Sequence, residues 1–223
     1  PVLCAGSAAA QSLDQPPGSV EAAVDAASAA SPAVSEWKSS IPNAFLVRPE
    51  ARHKAGAKLF RLQSASRAAG PAEDVPFLDI VRAEAAAQHM DAALILAVIQ
   101  KESEFDPEAE SQVGALGLMQ MMPDTAVWLG LDDPSRLKDP AVSIKYGVKY
   151  MKYLWGMFND DDPSSLAPEA ASSDGFRKMV AAYNAGPGNV EDYGGVPPFG
   201  ETKEYVRLVT EYFGNYKALR LDK

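Results

Sequence analysis

The 223-residue sequence contains one cysteine and two histidines, and this scarcity limits the chemistry that it can support. Cys4 has no second thiol in the chain, which excludes an intrachain disulfide and a thiolate zinc site. With two histidines in the chain, a histidine-based metal site or a nucleophile activated by histidine has few candidate residues. We therefore expect no metal or organic cofactor, and we expect any catalysis to depend on carboxylates.

Positive charge and long apolar runs are also scarce. The formal net charge is −9, whereas a nucleic-acid-binding protein normally presents a basic surface to phosphates, so we expect no nucleic-acid partner. No apolar run approaches the roughly 20 residues of a membrane-spanning helix. The acidic excess belongs to residues 76–223, which carry 14 Lys and Arg against 23 Asp and Glu, while residues 1–75 carry seven of each.

Composition divides the chain into an extension, residues 1–75, and a domain, residues 76–223. The extension begins with an apolar stretch that ends in small residues at 8–10, typical of the end of a secretory signal peptide, and predicts a periplasmic or exported protein. The Ala-, Ser- and Pro-rich sequence up to residue 43 predicts a largely irregular segment. Residues 48–67 predict a basic helix, which either is solvated or binds an anionic partner. We expect a monomer.

The second domain shows helical spacing of apolar residues and no alternating strand pattern. Asp91 is predicted to cap the second helix, Pro123 to open the third, and Ser143 to cap the long fourth. The sequence Gly-Pro-Gly at 186–188 is predicted to end the fifth helix, and residues 159–175 to form a polar loop. The sequence therefore predicts an all-α domain with helices near 77–88, 92–103, 123–129, 143–158, 176–185 and 202–219.

One glutamate in the second helix lies on the apolar side. With Leu94 set at 0° and an advance of 100° per residue, the apolar stripe centres near 60–80°. Glu102 falls at about 80°, in the middle of the stripe, whereas Gln100 and Glu104 fall at about 240° and 280°, on the polar face. Of two neighbouring glutamates, therefore, Glu102 is predicted to point inward and Glu104 into water.

An inward carboxylate at this position has two interpretations. Burial and the nearby helix C-terminus both disfavour the charged form of Glu102 and would raise its pKa, as a general acid requires. Alternatively, Glu102 pairs with a buried arginine or caps a backbone amide. The acids that follow at 106, 108 and 110 occupy a polar stretch that looks solvated, so no second catalytic carboxylate is evident. That favours a mechanism in which the substrate supplies its own nucleophile.

Four motifs resemble those of the soluble-type lytic transglycosylases, in the order that this family has them, and together they span about 105 residues. The resemblance covers roughly residues 77–219 and implies a lysozyme-like fold. The motifs are ESEF at 102–105, SQVGALGLMQMMPDTA at 111–126, AAYNAGPGNV at 181–190 and ETKEYV at 201–206.

The resemblance implies cleavage of the β-1,4 bond between N-acetylmuramic acid and N-acetylglucosamine in peptidoglycan, leaving a 1,6-anhydro end. Glu102 matches the single catalytic residue, acting first as acid and then as base. Ser111 matches a hydroxyl that contacts this carboxylate, although on its own it would also suit a loop cap. Tyr183 alone would read as a core residue, and the match places its hydroxyl near the reacting sugar. The implied substrate-binding residues are Ser111, Met119, Gln120, Met122, Tyr183, Asn184, Glu201 and Tyr205.

Two other functions remain open from the sequence. A muramidase or chitinase-like hydrolase on the same fold would use water in place of the sugar hydroxyl. A peptidoglycan-binding or assembly module of an envelope-spanning secretion machine would need no catalysis, although an intact Glu102 argues against this. Peptidoglycan glycan strands are the expected partner, and the extension would suit docking to an envelope or secretion-system partner.

Overall fold

A computed structural model describes residues 75–219 and 221, so the predictions for the extension, including the basic helix at 48–67, lie outside the described residues. The described part is helical without a named strand, which confirms the all-α prediction. None of its helices combines the length and apolar character needed to cross a membrane. The helices are α1 (Leu78–Gln88), α2 (Ala92–Ser103), α3 (Pro123–Trp128), α4 (Pro140–Phe158), α5 (Asp174–Ala185), α6 (Pro187–Asp192) and α7 (Gly200–Ala218).

Helix α2 forms the centre of the core. Its sequence is apolar on nearly every side, and all residues from 93 to 100 are buried. Asp91 caps it as predicted, since its Oδ1 accepts a 2.9 Å hydrogen bond from the amide of Ala93. Helix α7 packs along α2, and α4 packs against α1 and α5. The stretch of α2 from 93 to 100 is therefore enclosed by protein, and its C-terminal end, from 101 to 104, is partly exposed.

The prediction that Gln100 faces solvent is wrong. Its side chain is buried, and its Oε1 accepts a 2.8 Å hydrogen bond from the hydroxyl of Tyr216 on α7. Helical angle alone marks Gln100 as polar-faced, but α7 covers that side of α2 and supplies the partner that a buried amide needs. Burial also raises the pKa of the Tyr216 hydroxyl well above its ordinary value.

The start of the long helix also differs from the prediction. Helix α4 begins at Pro140, and Asp139 caps it by accepting a 2.9 Å hydrogen bond from the amide of Ala141. An aspartate followed by proline is a strong start signal, because proline suits the first helical position. Ser143 lies inside the first turn, fully buried, and its Oγ accepts a 3.2 Å hydrogen bond from the amide of Met119.

The segments between the predicted helices contain more helix than expected. Short 3₁₀ helices occupy Pro134–Lys138 and Pro168–Ser172, the second of them inside the predicted polar loop. The proline at 187 does not simply end α5, since it opens α6 after Gly186 turns the chain. Helix α7 begins at Gly200, two residues earlier than expected.

Candidate active site

Glu102 lies at the C-terminal end of α2 with 7% of its surface exposed. Its Oε1 accepts a 2.7 Å hydrogen bond from the hydroxyl of Tyr205, which is fully buried on α7. Glu104, two residues on, is exposed, as the helical angles predict. The packing of α7 on α2 thus holds one carboxylate in a nearly water-free position beside a hydroxyl donor.

The chain turns sharply just after Glu102. Helix α2 ends at Ser103, and the next two residues, Glu104 and Phe105, have left-handed backbones with φ of 51° and 66°. Such conformations are strained for residues with a side chain and persist only where the surroundings impose them. The turn buries Phe105 in the core and leads into a loop at residues 106–122, which is bonded to the end of α2 through Ser103.

The loop at 106–122 is held in shape by hydrogen bonds within its own backbone. Leu116 and Met121 exchange two hydrogen bonds of 3.0 and 3.1 Å, and the amide of Gly117 donates to the carbonyl of Ala109 at 2.9 Å. Gly117 has a φ of 74°, and a Cβ there would stand 3.0 Å from the carbonyl carbon of Leu137. Only glycine meets both demands, so this residue fixes how closely the loop approaches its neighbour.

Three hydroxyls attach the loop to three helices. The Oγ of Ser103 on α2 donates to the carbonyl of Leu118 at 2.8 Å, and the hydroxyl of Tyr183 on α5 donates to the carbonyl of Met119 at 2.9 Å. The Oγ of Ser143 on α4 accepts from the amide of Met119. Both backbone groups of Met119 are therefore bonded to side chains, and its own side chain is fully buried.

Ser111, Gln120 and Met122 also lie on this loop. The Oγ of Ser111 accepts a 2.9 Å hydrogen bond from the amide of Ala115, the loop-cap geometry, and its proton is available for a further acceptor. The side-chain Nε2 of Gln120 donates to two loop carbonyls at 3.0 Å each, which stabilises its left-handed backbone at a φ of 45°. Met122 is half-buried in the cap position of α3.

Asn184 and Glu201 lie where α5 meets α7. The Oδ1 of Asn184 accepts a 2.9 Å hydrogen bond from the Oγ1 of Thr202, and both residues are buried. Glu201 is half-buried in the first turn of α7, one turn before Tyr205. The hydrogen bond between Thr202 and Asn184 fixes the end of α7 that carries Tyr205, the partner of Glu102.

The other acids near Glu102 in sequence have surface positions. Asp106 accepts a hydrogen bond from the amide of Glu108 at 2.9 Å, and Glu110 forms a 3.2 Å ion pair with Lys138. All three acids are exposed, as expected for a solvated stretch.

The contact between Tyr205 and Glu102 could not be foreseen from the sequence. The resemblance implies that Tyr205 contacts substrate, whereas in the structure its hydroxyl donates to the carboxylate of Glu102. The Nζ of Lys101 lies 5.4 Å from the centroid of the Tyr205 ring. The two hydrogen-bonded residues are 103 positions apart, so no local spacing links them. The sequence likewise did not indicate that Ser103 and Ser143 bond to the loop, because their partners are backbone groups of a distant segment.

A cavity of about 660 Å³ opens at the other end of α2. It is lined by side chains that include Arg82, Asp91 and Lys217, and Lys217 forms a 3.0 Å ion pair with Asp91. Eleven helical positions, about 16 Å, separate Asp91 from Glu102. This cavity is therefore not part of the site around Glu102.

Comparison with known protein families shows the family of this chain. The model of the Transglycosylase SLT domain family matches residues 79–206, more than half of the chain. The chain belongs to this family. It is 30% identical over 165 residues to the soluble lytic murein transglycosylase of Escherichia coli K12. It is 35% identical over 125 residues to the membrane-bound lytic murein transglycosylase C of Haemophilus influenzae PittGG.

Solved structures of this SLT family have the same lysozyme-like fold. The 70 kDa soluble lytic transglycosylase of E. coli superimposes with a TM-score of 0.53 at 29% identity, over 64% of this chain and 24% of the relative. An inactive Glu-to-Gln mutant of the lytic transglycosylase Slt from Pseudomonas aeruginosa gives 0.55 at 28% identity, over 67% and 25%. The match to the E. coli K12 protein covers 65% of this chain but only 23% of that relative. The match to the Haemophilus protein covers 51% of this chain and 32% of that relative.

Proposed function

We propose that this domain is a peptidoglycan lytic transglycosylase that cleaves the β-1,4 bond between N-acetylmuramic acid and N-acetylglucosamine. The observation that carries the proposal is the buried Glu102 carboxylate, held by the Tyr205 hydroxyl at the end of α2. The relatives named as lytic murein transglycosylases support the reaction class. A relative inactivated by a Glu-to-Gln change supports dependence on one carboxyl group. An envelope location follows from the substrate.

In the first step, Glu102 acts as the acid. It donates its proton to the glycosidic oxygen while the bond from that oxygen to C1 of the muramic acid breaks. In the second step, the Glu102 carboxylate takes the proton from the C6 hydroxyl of the same sugar as its oxygen bonds to C1. The product is a 1,6-anhydro ring, no water is consumed, and Glu102 regains its proton for the next cycle.

The surroundings of Glu102 suit this exchange between two protonation states. Burial and the C-terminal end of the helix dipole favour the neutral acid that the first step needs. The hydroxyl of Tyr205 donates to Oε1 and stabilises the carboxylate that the first step creates. Tyr205 is thus a positioning residue, since it acts through Glu102.

The remaining residues shape the sugar-binding cleft. Ser111, Gln120 and Met122 lie on the loop that follows Glu102, and the hydroxyl proton of Ser111 is available to Glu102 or to a sugar. Met119 and Tyr183 hold this loop in place through their mutual hydrogen bond. Asn184 and Glu201 fix the neighbouring end of α7, where the carboxylate of Glu201 can accept from a sugar hydroxyl.

The test is the release of soluble muropeptides from purified sacculi by the wild-type protein and by Glu102→Gln. We expect Glu102→Gln to lose about 10²- to 10⁴-fold or more of the activity, the usual contribution of general acid–base catalysis. Glu104→Gln is the matched control, because this neighbouring glutamate is exposed and should leave activity unchanged. Full activity in Glu102→Gln would refute the proposal.

A further inference from the structure

A pair of aromatic rings stands at the surface after α6. Among the described residues, the large apolar side chains that are exposed are Val127 and Tyr193, at 51% and 55%. Unlike a lone surface residue, Tyr193 rests on a second ring, Phe199, edge to face with centroids 5.6 Å apart and planes at 81°. Phe199 is half-buried and so anchors the exposed ring to the domain.

The segment that carries Tyr193 is fixed before any ligand binds. The amides of Tyr193, Gly194 and Gly195 donate to carbonyls of α6 at 3.1, 3.0 and 2.9 Å. Pro197 and Pro198 then restrict the backbone up to Phe199. A ligand that stacks on Tyr193 would therefore order little additional chain, which favours affinity.

The aromatic pair lies at the same end of α7 as the candidate active site. Phe199 caps the N-terminus of α7, and Tyr205, which bonds to Glu102, follows six residues later, about 9 Å along the helix. The hydrogen bond from Thr202 to Asn184 fixes this end of α7 against α5. A glycan strand bound at Glu102 would thus have its neighbouring sugars within reach of Tyr193.

We infer that Tyr193 and Phe199 form a platform for one pyranose ring of the glycan strand, away from the bond that is cleaved. The inference rests on the proposed function. The apolar C–H face of the sugar packs on the tyrosine ring, while its hydroxyls remain available to the acids just before it, Glu191 and Asp192. A protein partner fits less well, since the two partly buried rings offer less than about 300 Å² and a stable interface buries about 800 Å² per partner.

Binding of β-1,4-linked N-acetylglucosamine oligomers to the full chain carrying Glu102→Gln tests this inference without turnover. We expect Tyr193→Ala to weaken binding of the hexamer by about 5- to 30-fold, and binding of the trimer by less, because only the longer chain reaches both places. Tyr193→Phe should restore most of the affinity. Val127→Ala, which trims the other exposed apolar residue, is the matched control and should bind like its parent.

Three results would overturn the inference: unchanged hexamer affinity in Tyr193→Ala, equal losses for hexamer and trimer, or no hexamer binding by the parent. In the catalytically intact protein, Tyr193→Ala should raise KM for sacculi more than it lowers kcat. Failure of the proposed function is a separate outcome, since a wild-type protein that releases no muropeptides could still bind the hexamer through Tyr193.

Discussion

The hydroxyl of Tyr205 and the Oε1 of Glu102 are joined by a 2.7 Å hydrogen bond that links α7 to α2 at the end of the buried helix. Both residues are buried, so the hydrogen bond forms where water competes little. It gives α7 a direct influence on the protonation of the carboxylate proposed to catalyse the reaction.

Tyr205→Phe removes this hydroxyl and keeps the ring. We expect kcat to fall by about 10- to 100-fold, because a hydrogen bond to a charged group contributes about 1.5–3 kcal/mol. The carboxylate loses a donor that favours its charged form, so the alkaline limb of the pH–activity profile, where the acid form of Glu102 is lost, should move to higher pH. Tyr212→Phe, on the same helix and half-buried, is the control. An unmoved pH profile would exclude the positioning role.

Asp139 and Ser143 have different roles, in capping α4 and in holding the loop, and substitution of each by alanine distinguishes them. Asp139→Ala removes the cap of α4 and should lower the free energy of unfolding by about 1 kcal/mol, with activity retained. Ser143→Ala leaves the buried amide of Met119 without its acceptor, which costs about 1–3 kcal/mol, and should also lower activity. Urea unfolding and sacculus turnover measure both. If Asp139→Ala alone impaired turnover, this division of roles would be wrong.

Gly147 on α4 packs directly against Met119. A Cβ at this position would stand 2.8 Å from the Cβ of Met119, whose backbone is held at both its amide and its carbonyl. Overpacking costs about 1–3 kcal/mol and should exceed the gain of about 1 kcal/mol in helix propensity, so Gly147→Ala should destabilise the protein. Gly156→Ala, on the same helix with open space around it, should instead be neutral or stabilising. Thermal unfolding of both variants checks the sign.

Tyr216 predicts a loss of stability in alkaline solution. Burial raises the pKa of its hydroxyl above the ordinary value of 10.0, so the folded state keeps a proton that the unfolded state has released. Stability should therefore fall as the pH rises above about 10. Tyr216→Phe should flatten this decline, although it costs about 1–3 kcal/mol at neutral pH because the Oε1 of Gln100 loses its donor. An unchanged slope in urea unfolding would contradict the assignment.

The fold could be predicted where the signals were local. Apolar spacing located the core helices, and Asp91 gave the start of α2 because a cap bonds within its own first turn. The angle of Glu102 on the helix predicted its burial for the same reason. Ser143 was misassigned because a serine before an apolar run resembles a cap, whereas the aspartate and proline just before it are the stronger start signal.

The parts that could not be predicted depend on contacts between distant segments. Gln100 is polar by its helical angle, and only the packing of α7 buries it. The contact of Tyr205 with Glu102 and the attachment of the loop by Ser103, Ser143 and Tyr183 likewise require the assembled fold. Family motifs marked several of these positions without indicating which atoms meet.

Digestion of sacculi in water enriched in heavy oxygen, with mass spectrometry of the released muropeptides, tests the central claim most directly. If Glu102 transfers protons within the substrate as proposed, the products should be lighter by one water than reducing-end muropeptides and should carry no heavy oxygen. Reducing-end products that contain the label would contradict the account, because they would show that water, not the C6 hydroxyl, attacks C1. Glu201→Gln would then test whether the half-buried carboxylate on α7 activates that water.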